Sequence, residues 1–368
     1  MAGVQHLLSN RALLGQAPRI VIKIGSSSLT RGGSLARDQI AQLVDVLGPA
    51  HVRGQQIVLV SSGSIAAGLQ PLGFRRRPAD VRDQQAASMV GQSHLIQAYT
   101  DEFARYGVTI GQALLTPDDV VDRRHYNNVQ SALQRLLHLG VIPIVNENDA
   151  VVTDELRFGD NDRLAALVAH IVDATALILL TDVDGLYSGP PGTPGATLIS
   201  EVADMDELAG FTITGKGSEV GTGGMATKVE AARIATSGGV ATLLASTADL
   251  GAALAGETVG TWFLPRSKRI PARDLWLRHA AAVKGTITVD DGAKNALRSG
   301  GASLLAVGVT DVRGTIAAGD LVSIVDSNGV EVARGLSAFS TAELNAYMHK
   351  RSAPRPVVHA DDLVLPTK

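Results

Sequence analysis

Four short, nearly all-apolar runs, each passing directly into a polar turn, organise the first half of the chain. Residues 20–24 lead into Gly25 and three serines, and residues 57–60 lead into SSGS at 61–64. Residues 141–145 lead into NEND at 146–149, and residues 176–180 into TDVDG at 181–185. Runs this short and uniformly apolar predict strands buried on both faces. Pro143 counts against the third, because proline cannot donate to a sheet ladder. Helical patterns fall between and beside the runs, at 37–52, 79–106, 129–139 and 161–174. Alternation of this kind predicts an α/β fold, a three-layer αβα sandwich with a mainly parallel central sheet. Ligands of such sheets bind beyond the C-terminal ends of the strands, where all four polar turns would then lie.

The pattern changes after Phe263. Residues 264–275 (LPRSKRIPARDL) are proline-bearing and basic and read as a linker. Beyond them, segments of β character at 286–289, 303–309, 321–325 and 330–333 alternate with glycine and aspartate turns, as in a small β-barrel-like domain. The expected division is an N-terminal extension at 1–18, an α/β domain at 19–264, a linker at 265–279 and a small domain at 280–368. The stretch SGPPGTPGA at 188–196 predicts a flexible surface loop.

Composition sharpens this picture modestly. A chain of 368 residues favours two domains, and 39 glycines with 4% aromatics suit an α/β protein built from small aliphatics and tight turns. A net charge of −3 gives no reason to expect a polyanion-binding surface. With no cysteine, disulfides, thiolate metal sites and cysteine nucleophiles are excluded. The start shows no apolar signal core, and the apolar stretch 164–180 is interrupted by His170 and Asp173, a poor bilayer span. The expectation is a soluble, cytoplasmic protein.

Several residues could carry chemistry. At 221–228, GTGGMATK, a glycine-rich turn enters a helical pattern with Lys228 near its start. Such a turn suits a phosphate, because glycines let the backbone approach and the helix N-terminus offers unpaired N–H groups. It equally describes an ordinary helix start, and it is not a Walker A loop, since Thr227 rather than glycine precedes the lysine. Lys23 sits inside an apolar strand, where an ammonium needs an anion; the alternatives are a phosphoryl group or a structural carboxylate. SSGS at 61–64 offers an N-capping serine, a grip for a carboxylate, or both. NEND and GDND, at 146–149 and 159–162, form a pair of acidic-amide loops that could hold an ammonium group, a metal or a lysine. Thr181 and Asp182 belong to a turn that either simply reverses the chain or contacts a nucleotide. The histidines lack metal-ligand spacing.

Together these stretches resemble the amino-acid kinase family. The matching segments are VIKIGSS at 21–27, VSSGSIAAG at 60–68, VNENDAV at 145–151, GDND at 159–162, LTDVDGLY at 180–187 and GTGGMATK at 221–228. They occur in the family's order, and GTGGMxTK with NEND is characteristic of members that act on L-glutamate. The resemblance implies transfer of the γ-phosphoryl group of ATP, with Mg²⁺, to the glutamate side-chain carboxylate, the first step of proline synthesis, with proline as inhibitor. Carried over by position, Lys23 and Lys228 would neutralise the transferring phosphoryl group and Asp162 would organise them. Ser62, Asp149 and Asn161, with Asp160 nearby, would bind glutamate. Lys23, Thr181, Asp182, Thr222, Gly223, Gly224, Met225, Ala226, Thr227 and Lys228 would hold ATP. Ser64 departs from the pattern, standing where alanine is usual, and the 188–196 loop lacks a common Asp-Pro pair. A homo-oligomer, dimer or tetramer, is expected. The C-terminal segment resembles a PUA domain, which binds RNA in other proteins. From 280 to 368 there are nine Lys/Arg (284, 294, 298, 313, 334, 350, 351, 355, 368) and nine Asp/Glu (290, 291, 311, 320, 326, 331, 343, 361, 362), a neutral balance that argues against RNA binding.

Overall fold

The computed structural model describes residues 8–31, 34–116, 118–121, 123–151, 161–210, 224–266, 277, 283–348 and 353–366. The chain divides into two compact units, Met1–Ala272 and Arg273–Lys368.

The strands of the first unit are β1 (Arg19–Ile24), β2 (Thr30–Arg31), β3 (Ser34–Leu35), β4 (Gln56–Ser61), β5 (Ile110–Leu115), β6 (Ile142–Glu147), β7 (Ala176–Thr181), β8 (Glu201–Val202), β9 (Ala241–Ser246) and β10 (Thr261–Phe263). Eight of them form one sheet in the order β5-β6-β4-β1-β7-β9-β10-β8, while β2 and β3 pair separately. Every neighbouring pair in the large sheet is parallel except β9 with β10. Pro143 lies in β6 without breaking it, for a geometric reason. Ile142 N donates to Thr109 O on the β5 side, so the next residue turns toward β4, and the β4 ladder begins only at Ile144.

The helices are α1 (Arg37–Val52), α2 (Ser64–Leu69), α3 (Val81–Ala104), α4 (Asp118–Val121), α5 (Arg123–His138), α6 (Asn161–Ile171), α7 (Met225–Ser237) and α8 (Leu250–Leu254). The fourth predicted helix stops earlier than its apolar pattern, because Asp173 takes a left-handed φ of 52° just beyond it. Alternate residues of β1 face opposite layers. Ile20, Ile22 and Ile24 join Ile40, Leu43, Leu47, Leu95, Tyr99 and Phe103 of α1 and α3 in one core. Val21 and Lys23 point the other way, toward α6. There α6 packs on α7, and Ala165, Ala166, Ala169, Ala231, Ala232 and Ala235 are fully buried. Small side chains bring these two helix axes close together.

A close backbone contact joins α2 and α3. A Cβ on Gly68 would lie 1.9 Å from Ala87 O, and one on Gly91 would lie 1.8 Å from Ser64 O. Both obstacles are backbone, so glycine is required at each position.

The second unit holds β11 (Gly285–Val289), β12 (Val309–Gly314), β13 (Leu321–Val325), β14 (Glu331–Leu336) and β15 (Leu363–Val364) in a mixed sheet ordered β12-β11-β13-β14-β15. Helices Asp291–Arg298 and Thr341–Tyr347 contribute Leu297 and Leu344 to its core. The strand expected at 303–309 does not form. Leu304 makes one bridge to Val358 and Ala306–Gly308 is a 3₁₀ turn, so alternating burial of Leu304 and Ala306 imitated a strand that has no ladder. Among the described residues, no helix is long and apolar enough to cross a membrane.

Lys294 Nζ lies 2.6 Å from Asp326 Oδ2, and the N–H groups of Asn328 and Val330 donate to Oδ1. The lysine first, then these N–H groups, hold the Asp326 carboxyl below its ordinary value. A lowered carboxyl pKa adds stability that is complete above the unfolded value, near pH 4, and is lost as pH falls through the folded value. Asp326→Asn should therefore flatten the acid limb of this unit's stability curve below about pH 4, as followed by thermal melting; an unchanged acid limb would count against the pair.

Candidate active site

The polar turns converge at the C-terminal edge of the parallel strands. Lys23 leaves β1 on the α6 face, and its Nζ lies 2.6 Å from Asp162 Oδ1 in the first turn of α6. Lys228, in the first turn of α7, places its Nζ 2.9 Å from Asp162 Oδ2. Thr227 Oγ1 is 3.3 Å from the same oxygen. Asp162 is fully buried, Lys23 is 3% exposed and Lys228 9% exposed. Among the described residues, two ammonium groups on one carboxylate leave this cluster a net charge of +1, and the positive ends of α6 and α7 add to it. A buried excess of positive charge calls for an anion.

The start of α7 is built by its own residues. Gly224 precedes the helix in extended conformation, and its N–H donates to Thr227 Oγ1 at 3.2 Å. Met225 and Ala226 complete the first turn with Thr227 and Lys228. Thr222 and Gly223 lie outside the described residues, as does Asp160.

Asn161, beside Asp162, begins a second network. Its Nδ2 donates to Ser62 Oγ and to Asn146 Oδ1, both at 2.9 Å. Asn146 Nδ2 in turn donates to Gln92 Oε1 at 2.9 Å and to Ser64 Oγ at 3.3 Å. Asp149 Oδ2 accepts from Ser88 Oγ at 2.8 Å and from Ser64 Oγ at 3.3 Å. One turn of α6 thus joins a cationic cluster to an amide-hydroxyl-carboxylate cluster. Among the described residues, Asn161 Oδ1 and Gln92 Nε2 are buried without hydrogen-bond partners, an acceptor and a donor left over beside each other's network. Buried polar atoms in this state mark places that a ligand or water completes. A pocket of about 240 Å³ is lined by Gln92 together with, among others, Ser88, Glu147 and Asp149.

The turn at 61–64 does not cap α2 with a serine side chain. Gly63 stands before the helix with φ 101°, a left-handed value suited to glycine, and no side chain caps it. The turn therefore leaves Ser62 for Asn161 and Ser64 for Asp149. Thr181 and Asp182 close β7, with Thr181 Oγ1 3.1 Å from Asp182 Oδ1. Thr247, after β9, reaches Thr181 O at 3.4 Å and Ser28 Oγ at 3.0 Å, so three strand ends share this corner.

The comparison with known proteins bears on the whole chain. Residues 18–245 match the amino acid kinase family, and residues 285–354 match the PUA domain. The chain belongs to the amino acid kinase family. Its relatives include proteins named glutamate 5-kinase. That of Streptomyces coelicolor is 50% identical over 96% of this chain and 98% of its own. That of Salinispora arenicola is 52% identical over 95% and 98%, and that of Thermobifida fusca 50% over 96% and 95%. This amino acid kinase is thus an enzyme with ATP as co-substrate, and its second unit is a PUA domain.

Sequence reasoning did not find Ser88, Gln92 or Thr247. Ser88 and Gln92 lie on α3, where small and polar residues are mixed along a helix that carries no turn motif. Thr247 follows β9, a strand whose apolar run at 240–245 carries the same signature as the four that were recognised.

Proposed function

We propose that this chain transfers the γ-phosphoryl group of ATP to the side-chain carboxylate of L-glutamate, giving L-glutamyl 5-phosphate and ADP. The observation that carries the reading is the buried Lys23–Asp162–Lys228 cluster with its net positive charge. The names and coverage of the relatives supply the substrate.

In this reading a glutamate carboxylate oxygen attacks the γ-phosphorus, the new O–P bond forms in line, and the bond to the bridging oxygen breaks with its electrons leaving on ADP. The nucleophile is ionised at neutral pH, so the site needs no strong general base. Catalysis rests on alignment and on charge neutralisation of the phosphoryl oxygens. Lys23 and Lys228 supply that charge. Asp162 holds both ammonium groups a fixed distance apart, so their reorganisation is complete before the reaction begins. Ser62, Asn161 and Asp149, together with Asp160, hold glutamate, with Asp149 taking its ammonium group. Thr181, Asp182 and the 222–228 segment, which contains Thr222, Gly223, Gly224, Met225, Ala226 and Thr227, hold ATP.

No group of three or more acidic or histidine side chains among the described residues could hold a metal ion. Both oxygens of Asp162 already face lysines. These residues do not form a Mg²⁺ site of their own; the ion, which is commonly held by substrate phosphates, belongs to the nucleotide in this reading.

The same reading places the enzyme at the first step of proline synthesis, in the cytoplasm, as a homo-oligomer inhibited by proline. It assigns catalysis to 19–264, an extension to 1–18, a linker to 265–279 and a PUA domain without RNA-binding duty to 280–368. An ATP- and glutamate-dependent hydroxamate assay, with and without proline, tests it. Hydroxamate should form with glutamate and fall with added proline. Turnover of aspartate, acetylglutamate or carbamate with none of glutamate would overturn the substrate assignment.

A further inference from the structure

Among the described residues, Asp149 is held on one side only. Its Oδ2 receives the hydroxyls of Ser88 at 2.8 Å and Ser64 at 3.3 Å, whereas its Oδ1 has no hydrogen bond among the described residues. The two hydroxyls are 3.0 Å apart and both residues are buried, Ser64 at 3% and Ser88 at 5% exposure. Ser64 Oγ also accepts from Asn146 Nδ2, which ties the pair to the network around Asn161. The arrangement depends on the backbone contact of α2 with α3, since Gly91 sits against Ser64 O and Gly68 against Ala87 O. Two serines from different helices therefore meet on one carboxylate oxygen. Neither is needed to fill space, as alanine has nearly the same volume.

A hydroxyl carries a single proton. Ser88, the nearer, is the direct donor to Asp149, and Ser64 lies within reach of both Ser88 and the carboxylate. Their joint effect is to fix the carboxylate through Oδ2, with neither hydroxyl engaging Oδ1. A side chain already fixed in its binding rotamer loses less conformational entropy when a ligand arrives.

We propose that Ser64 and Ser88 are positioning residues that set the affinity of this enzyme for the ammonium group of its amino-acid substrate by orienting Asp149. The inference rests on the assignment of Asp149 to glutamate binding. It changes the meaning of Ser64, which in sequence looked like a neutral replacement for alanine.

The test is steady-state kinetics and calorimetric titration of glutamate on the full-length Ser64→Ala, Ser88→Ala, double Ser64→Ala/Ser88→Ala and Ser88→Thr variants, beside Asp149→Asn. The double alanine variant should raise the glutamate KM and Kd about tenfold, with kcat and the ATP KM within about twofold. Ser88→Thr keeps the hydroxyl at a position that lines the pocket, so it should retain wild-type affinity. Combining Ser88→Ala with Asp149→Asn should cost no more than Asp149→Asn alone, because the serine acts through the aspartate. Unchanged glutamate affinity in the double alanine variant, with affinity lost in Asp149→Asn, would overturn the inference and leave the binding role of Asp149 standing. Unchanged affinity in Asp149→Asn would instead remove the underlying assignment. A loss confined to kcat, or one that Ser88→Thr fails to repair, would also overturn it.

Discussion

Lys228→Met should lower kcat by about 10²- to 10³-fold, the usual cost of removing one preorganised electrostatic contact from a transition state, while leaving the glutamate KM within about threefold. Charge counting explains why this variant is informative. With both lysines present, the cluster on Asp162 carries a net +1; without Lys228 it is neutral, yet Asp162 keeps Lys23 at 2.6 Å. The phosphoryl group loses its counter-charge and no carboxylate is left buried alone. Methionine also preserves the unbranched stem that α7 packs around. Asp162→Asn is a harsher change, because it strands two nearly buried ammonium groups, and breaking a buried pair in this way costs about 3–5 kcal/mol. Single-turnover measurement of the hydroxamate product, with melting temperature as a control, separates the two cases. A Lys228→Met enzyme with kcat within about threefold of the parent would remove the lysine from the proposed mechanism.

Gly91→Ala should strongly destabilise the catalytic unit. Propensity alone favours alanine over glycine in a helix by about 1 kcal/mol. Against that, the new Cβ would stand 1.8 Å from Ser64 O and 2.4 Å from Gly68 N. Both atoms belong to the backbone of α2, so no rotamer change can relieve the contact and α2 must move away from α3. Overpacking of this sort costs about 1–3 kcal/mol and occasionally more, so the sign of the net change is destabilising. The same movement separates Ser64 from Ser88, and the glutamate KM should rise together with the loss of stability. Urea denaturation followed through the transition that abolishes activity is the appropriate measurement, with Met89→Ala as a control on the exposed side of the same helix. Met89→Ala should fall within about 0.5 kcal/mol of the parent. A midpoint for Gly91→Ala equal to or above the parent's would show that α2 and α3 are not in contact as described.

Much of the fold was legible in the sequence because buried parallel strands leave an unmistakable trace. β1, β4, β6 and β7 read as apolar runs, and the helices between them followed. Lys23 was legible for the same reason, since a lysine in such a run demands an anion. Its partner was legible only through the family resemblance, which pairs it with Asp162; the strand pattern alone could not show this, because Asp162 approaches from a helix 139 residues later. β5 was missed, as its Gly111 and Gln112 dilute the pattern at the sheet edge, and β10 is only three residues long. The α2–α3 contact was hidden because two glycines inside helical segments resemble weak points rather than contacts. The residues missed around Asp149 follow from that omission. Ser88 has no meaning until α3 is known to lie against α2.

The adjacency of Asn161 and Asp162 has a thermodynamic consequence. One residue belongs to the network assigned to the amino acid and the next to the cluster assigned to the phosphoryl group, with a single peptide unit between them. On those proposed assignments, the two substrates cannot order their half-sites independently. Whatever one of them gains by settling the first turn of α6, the other inherits, and linkage requires the benefit to be equal in both directions. Glutamate and nucleotide become mutual effectors across the width of one helical turn.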